Sequence, residues 1–168
     1  FGELDPIAAI DRRIAALEPH APALVRALRP ARERADEIWS DFESVLPRQV
    51  VHGDVHAGNV LLVDGRAHLL DFDRSQLGPV AWDLVSALVR VRRFGGPVDE
   101  MRRFFASYGV DPALAASLTR LAMVREAGTL SWTAQMAGED PAFFEEFERR
   151  AASFTAPDGI GQVRWRAM

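Results

Sequence analysis

His52-Gly53-Asp54-Val55-His56-Ala57-Gly58-Asn59, followed by Leu69-Leu70-Asp71-Phe72-Asp73, is the stretch that decides how this sequence is read. Either half alone is a weak signal, because aspartate, asparagine and glycine are ordinary turn residues. Between the halves, Val60–Val63 and Ala67–Leu70 are apolar runs joined around Asp64-Gly65, a strong signal for a two-residue β-hairpin. A hairpin folds the end of its second strand back beside the start of its first. It thereby makes neighbours of Asp54, Asn59 and Asp71, which lie within eighteen residues. Carboxylate and amide oxygens are hard donors suited to Mg²⁺, which takes one or two carboxylates and completes its shell with water and substrate phosphates. Phosphoryl transfer needs such a set: one carboxylate to accept a hydroxyl proton, an amide and a second carboxylate to hold the metal.

Outward from this centre the pattern is helical. Asp5 and Pro6 open a helix over 5–18, with Ile7, Ile10, Ile14 and Leu17 on one stripe. Residues 22–45 continue helical, with Leu24, Leu28, Ile38, Trp39, Phe42 and Leu46 apolar, and Pro30 predicts two helices meeting near residue 30. Gln49–Val51 is a short strand leading into the loop. After Gly78-Pro79, a helix over 79–93 puts Val80, Leu84, Leu88 and Val91 inward. A helix over 98–108 ends at Gly109. Another starts at Asp111-Pro112 and runs to Met136, with Leu114, Leu118, Leu121, Val124 and Leu130 inward and Gly138 as its end. Asp140-Pro141 opens a last helix to about Phe154. The outline is α+β: one mainly helical unit around a small hairpin.

Composition narrows the chemistry. The 168 residues suit one domain or one lobe of a larger enzyme. Without cysteine there is no disulfide framework, thiolate zinc site or cysteine nucleophile. The net charge of −4 gives nucleic acid or an anionic membrane nothing to attract. All 20 basic residues are arginine, so no phosphate-gripping or Schiff-base lysine comes from this chain.

The loop, the Asp71-Phe72-Asp73 triplet, Gly78-Pro79 and Trp82-Asp83-Leu84 together resemble the aminoglycoside phosphotransferase and choline kinase family, small-molecule kinases of protein-kinase-like fold. The likeness is specific over residues 50–84 and loose in the flanking helices. It implies Asp54 as catalytic base, Asn59 and Asp71 as Mg²⁺ ligands beside ATP or another nucleoside triphosphate, and His52 as an orienting residue. Asp83 would be a buried carboxylate accepting backbone N–H bonds from the loop, and His56 a phosphate contact or a brace. Asp73 is equally a second metal carboxylate or a solvated charge. The family also has an N-terminal lobe with a nucleotide-covering loop, a strand lysine and a partner glutamate. The 49 residues before the motif read helical and hold no lysine. The expectation is therefore a C-terminal catalytic lobe over residues 1–168, its N-terminal lobe apparently absent, that binds ATP weakly by itself.

The reading that follows is a cytoplasmic ATP-dependent phosphotransferase acting on a small-molecule hydroxyl, with no nucleic-acid or membrane partner. Two rivals stand beside it: a non-catalytic kinase-like binding module, and a metallophosphoesterase suggested by Gly53-Asp54-Val55-His56. The latter class needs more histidine ligands, and after His56 only His68 remains. For the acceptor, Glu126 and Trp132 are candidates, with Gln135 beside Trp132; an aromatic wall with carboxylate neighbours suits a polar, even cationic, substrate. Arg90, Arg92, Arg93, Arg102 and Arg103 read as a solvated, ion-paired helix face.

Overall fold

The computed structural model describes residues 1–42, 47–109, 115–155 and 163–168. Among the described residues there are six α-helices and two small antiparallel sheets. Helix α1 (Pro6–Leu17) is capped by Asp5, whose carboxylate accepts the Ala8 N–H at 2.8 Å. Ile7, Ile10 and Leu17 are buried, and Ile14 packs half-buried against the same core.

Helix α2 (Pro22–Phe42) passes through Pro30 as a single helix, where the sequence predicted two. Proline cannot donate to the Arg26 carbonyl, but both residues sit on the solvent face. Leu28, Ala31, Ala35 and Ile38 anchor the helix to the core on both sides of the break, so packing overrides the local cost. Leu46 lies outside the described residues.

Strand β1 (Arg48–Val51) does not join the hairpin. It pairs antiparallel with β4 (Gln76–Pro79), a strand that the sequence reading did not place, its helix starting at residue 79; Val51 lies opposite Gln76. Leu77 of β4 also bonds the N-terminal segment, its N–H reaching the Gly2 carbonyl at 2.8 Å and its carbonyl accepting the Leu4 N–H at 2.9 Å. The hairpin pairs β2 (Val60–Val63) with β3 (Arg66–Leu69), one residue earlier than predicted. Both turn residues, Asp64 and Gly65, have positive φ, 50° and 74°, as a type I′ turn requires.

Helix α3 (Ala81–Phe94) buries Trp82, Leu84, Val85, Val89 and Arg93, whereas Val80, Leu88 and Val91 are half-buried. The inward face is thus turned from the predicted stripe, and it includes a charge. Helix α4 (Val98–Tyr108) follows, ending at Gly109.

Helix α5 (Ala115–Glu139) is the axis of the domain and packs on α1, α2, α3 and α6 (Phe144–Thr155). Its buried residues lie on most of its circumference, including Leu118, Leu121, Val124 and Leu130 as predicted; Leu114 and the Asp111-Pro112 start lie outside the described residues. Gly138 does not end it. A Cβ there would meet Leu17 Cδ2 at 3.0 Å, so this glycine admits the end of α1 instead. Asp140 then caps a short 3₁₀ turn leading into α6, accepting the Ala142 N–H at 2.9 Å. Among the described residues no helix is long and apolar enough to cross a membrane.

Candidate active site

The loop between β1 and β2 is held from below by α3. The carboxylate of Asp83, half-buried in the first turn of α3, accepts two backbone N–H groups: His52 at 2.8 Å and Gly53 at 2.9 Å. The neighbouring Trp82 indole N–H reaches the Gly53 carbonyl at 3.3 Å. Gly53 itself has φ 84°, and a Cβ there would lie 2.3 Å from the Arg74 carbonyl oxygen. Gly53→Ala is therefore expected to cost about 1–3 kcal/mol through strain and overpacking, seen as a lower melting temperature than that of wild type.

His52 is buried and ties three segments together. Its Nε2 lies 2.8 Å from the Leu70 carbonyl oxygen and its Nδ1 accepts the Asp54 N–H at 3.3 Å. Those partners assign the proton to Nε2, leaving neither nitrogen for proton transfer to a substrate. Its ring also stacks obliquely on Phe72, with centroids 4.8 Å apart. The Leu70 N–H in turn bonds the Asn59 carbonyl at 2.9 Å. Asp71, which follows directly, is thereby brought to the end of the loop that carries Asp54 and Asn59.

Asp71 adopts φ 62° and ψ 64°, a left-handed conformation uncommon outside glycine, and its exposed carboxylate makes no cap bond. The Asn59 side-chain nitrogen donates to the Asp54 carbonyl at 3.0 Å, so its amide oxygen is the end left for a ligand. Among the described residues no three acidic or histidine side chains form a ready-made metal site. An amide oxygen and a carboxylate without partners among the described residues fit Mg²⁺ that arrives with a phosphate ligand, a cation that rarely uses an all-protein cage. Asp73 is exposed in the adjoining 3₁₀ turn, on the wall of a cavity.

That cavity, of about 880 Å³, opens in front of Asp54. His56 is among its lining residues; its Nδ1 accepts the Gly58 N–H at 3.1 Å and caps the 3₁₀ turn Ala57–Asn59. Two arginines outside the predicted set reach Asp54. Arg125 on α5 pairs with its carboxylate and donates to the Gly53 carbonyl at 2.7 Å, while Arg74 Nε stands 3.8 Å away. Arg125, Gly128, Thr129 and Trp132 all line the cavity. Their spacing of three, four and seven is one helix face, a signal present in the sequence.

Trp132 is thus on the cavity wall, its ring meeting Phe143 edge-on at 6.0 Å, whereas Gln135 does not line it. Glu126 corrects the expectation. It is fully buried and turned about 100° from Arg125, toward α3, where it binds Arg93 at 2.7 Å and lies 3.4 Å from Arg92. It cannot touch a substrate in this cavity. The basic cluster on α3 is correspondingly only partly a solvated face. Arg90 pairs with Glu100 at 3.3 Å near the surface, but Arg93 is buried and burial pushes the Arg92 pKa down.

No curated protein matches the chain. The model of one family, described as the phosphotransferase enzyme family, matches residues 3–123 and so takes in α1, both sheets, the Asp83 brace and Arg74. With that match over most of its length, the chain belongs to the phosphotransferase enzyme family typified by the aminoglycoside phosphotransferases.

Proposed function

We propose that this chain is the catalytic lobe of an ATP-dependent phosphotransferase of kinase-like fold that acts, in the cytoplasm, on a hydroxyl group of a small molecule. The observation that carries the reading is the placing of Asp54. Its carboxylate faces a substrate-sized cavity on a loop fixed by Asp83 and His52, with the unengaged oxygens of Asn59 and Asp71 one hydrogen-bonded strand end away.

In the reaction, Asp54 accepts the proton of the acceptor hydroxyl. The hydroxyl oxygen bonds the γ-phosphorus as the bond to the bridging oxygen breaks, and ADP leaves. Asn59 and Asp71 are the residues that would hold Mg²⁺, which when bound neutralises charge on the phosphates; Asp73 is available as a further carboxylate. His56 is assigned contact with the transferring phosphate through Nε2, since Nδ1 is engaged by Gly58. His52 orients, and Asp83 holds the loop. Nucleic acid and membranes are not partners in this proposal.

The test is ADP release by the full-length protein with MgATP and an acceptor panel of aminoglycosides, choline, hydroxy amino acids and sugars, with the phosphorylated product identified by mass. Acceptor-stimulated turnover abolished by EDTA is expected. Absence of turnover with every acceptor overturns the reading in favour of a binding module. Metal-dependent hydrolysis of nitrophenyl phosphate without transfer overturns it in favour of a hydrolase.

A further inference from the structure

Helix α1 brings two arginines to one side of the cavity. Arg12 and Arg13 on α1 line it, facing Arg74. Arg13 reaches toward α5 and donates to Ser131 Oγ at 3.1 Å. Partial burial, with the charges of Arg74 and Arg12 close by, lowers the Arg13 pKa from its ordinary value.

The lining carries four arginines and four carboxylates, so the local pairing decides where charge is left over. Glu3 pairs with Arg48, Asp5 is engaged in capping α1, and Asp54 is held by Arg125 with Arg74 beyond it. Asp73, two residues after Asp71, also lines the cavity. Among the described residues Arg12 and Arg13 have no carboxylate partner. Arg13, half-buried without a counter-ion, is a costly arrangement, and with the exposed Arg12 beside it on the cavity wall it matches the geometry of a carboxylate or phosphate. A cationic acceptor, the further option raised with Trp132, loses the support of Glu126, which is buried against Arg93.

We propose that the acceptor is a hydroxyl compound bearing an anionic group, carboxylate or phosphate, seated on Arg12 and Arg13 with its hydroxyl toward Asp54. This rests on the phosphotransferase reading and names its substrate class. The test uses glucose, gluconate, glucose 6-phosphate and glucosamine, similar in size but neutral, singly anionic, doubly anionic and cationic. Each is titrated by calorimetry into the full-length protein without nucleotide, then offered as acceptor with MgATP. At least one anion should bind about tenfold more tightly than glucose and glucosamine. Which of the two does so separates a carboxylate from a phosphate site. Arg12→Gln and Arg13→Gln should each remove that preference, whereas Arg26→Gln, exposed on α2 away from the cavity, should keep it. Arg12 is exposed, so its variant gives a reading even if Arg13→Gln folds poorly. Failure of both anions to outbind glucose, or a preference that survives the Arg12 substitution, overturns the proposal. Phosphorylation of glucose or glucosamine without anion preference overturns it while sustaining the kinase. Arginine-dependent anion binding with no ADP from any acceptor sustains the anion site and overturns the kinase.

Discussion

Glu126→Ala is expected to lower the stability of the domain by about 3–5 kcal/mol, the cost of stranding a buried charge. The carboxylate is fully buried, and its partner Arg93 has a side chain only 1% exposed. Around them the domain closes its C-terminal end. Arg93 donates to the Val163 carbonyl at 3.2 Å, its backbone carbonyl accepts the Trp165 N–H at 2.7 Å, and the Trp165 ring lies 5.0 Å from both the Arg93 and Arg150 guanidinium carbons. Arg150 is in turn neutralised by Glu146 at 2.8 Å. Removing Glu126 leaves Arg93 buried with one carbonyl and an aromatic face as its remaining partners. For a domain with total stability on the order of 5–15 kcal/mol, this is a large fraction. The melting temperature should fall by roughly 10 °C. Glu100→Ala, which removes the near-surface partner of Arg90, should cost at most about 1 kcal/mol. Equal melting of the two variants would mean that Glu126 is not the counter-charge that lets Arg93 be buried.

The same glutamate shows where the sequence stops being informative. Arg125 and Glu126 are adjacent, and both look like polar residues on a long helix. One faces the loop and the other the core, and that phase is set by α1, α2 and α3 packing around α5. Local signals carried further. Asp5 capping α1, Asp64-Gly65 as a turn and Asp140 opening the last helical segment each need only a few neighbouring atoms, and each is legible. The hairpin and the Asp54–Asn59–Asp71 juxtaposition follow from such a local signal. The β1–β4 pairing does not, because Gln76-Leu77-Gly78-Pro79 carries glycine and proline like a loop. Its strand character comes from a partner 28 residues earlier and from Leu4, which a Cβ on Gly78 would meet at 2.7 Å. Pro30 failed as a break for the same reason: the core holds both halves of α2. The arginines of α1 carry no mark in the sequence, since any of the 20 could be a solvated charge.

Asp54→Asn is expected to reduce turnover with an acceptor found in the panel by about 10²- to 10⁴-fold, the range for losing a positioned general base. Asparagine keeps the shape of the side chain and can still accept from Arg125, so the fold should be retained and melting should shift little. Asp83→Ala makes the opposite separation. Its carboxylate is the shared acceptor of the His52 and Gly53 N–H groups, and its loss leaves two backbone donors stranded under the loop. That should cost about 1–3 kcal/mol of stability. Turnover should also fall, because the loop that aims Asp54 is no longer pinned. Melting curves and ADP release measured on the same preparations distinguish the two residues. Asp54→Asn should be a stable, inactive protein and Asp83→Ala an unstable one. Turnover by Asp54→Asn within tenfold of wild type would remove Asp54 as the base. Unchanged melting of Asp83→Ala, with early melting of Asp54→Asn, would exchange the two roles: Asp54 would then be the residue that holds the loop, through Arg125.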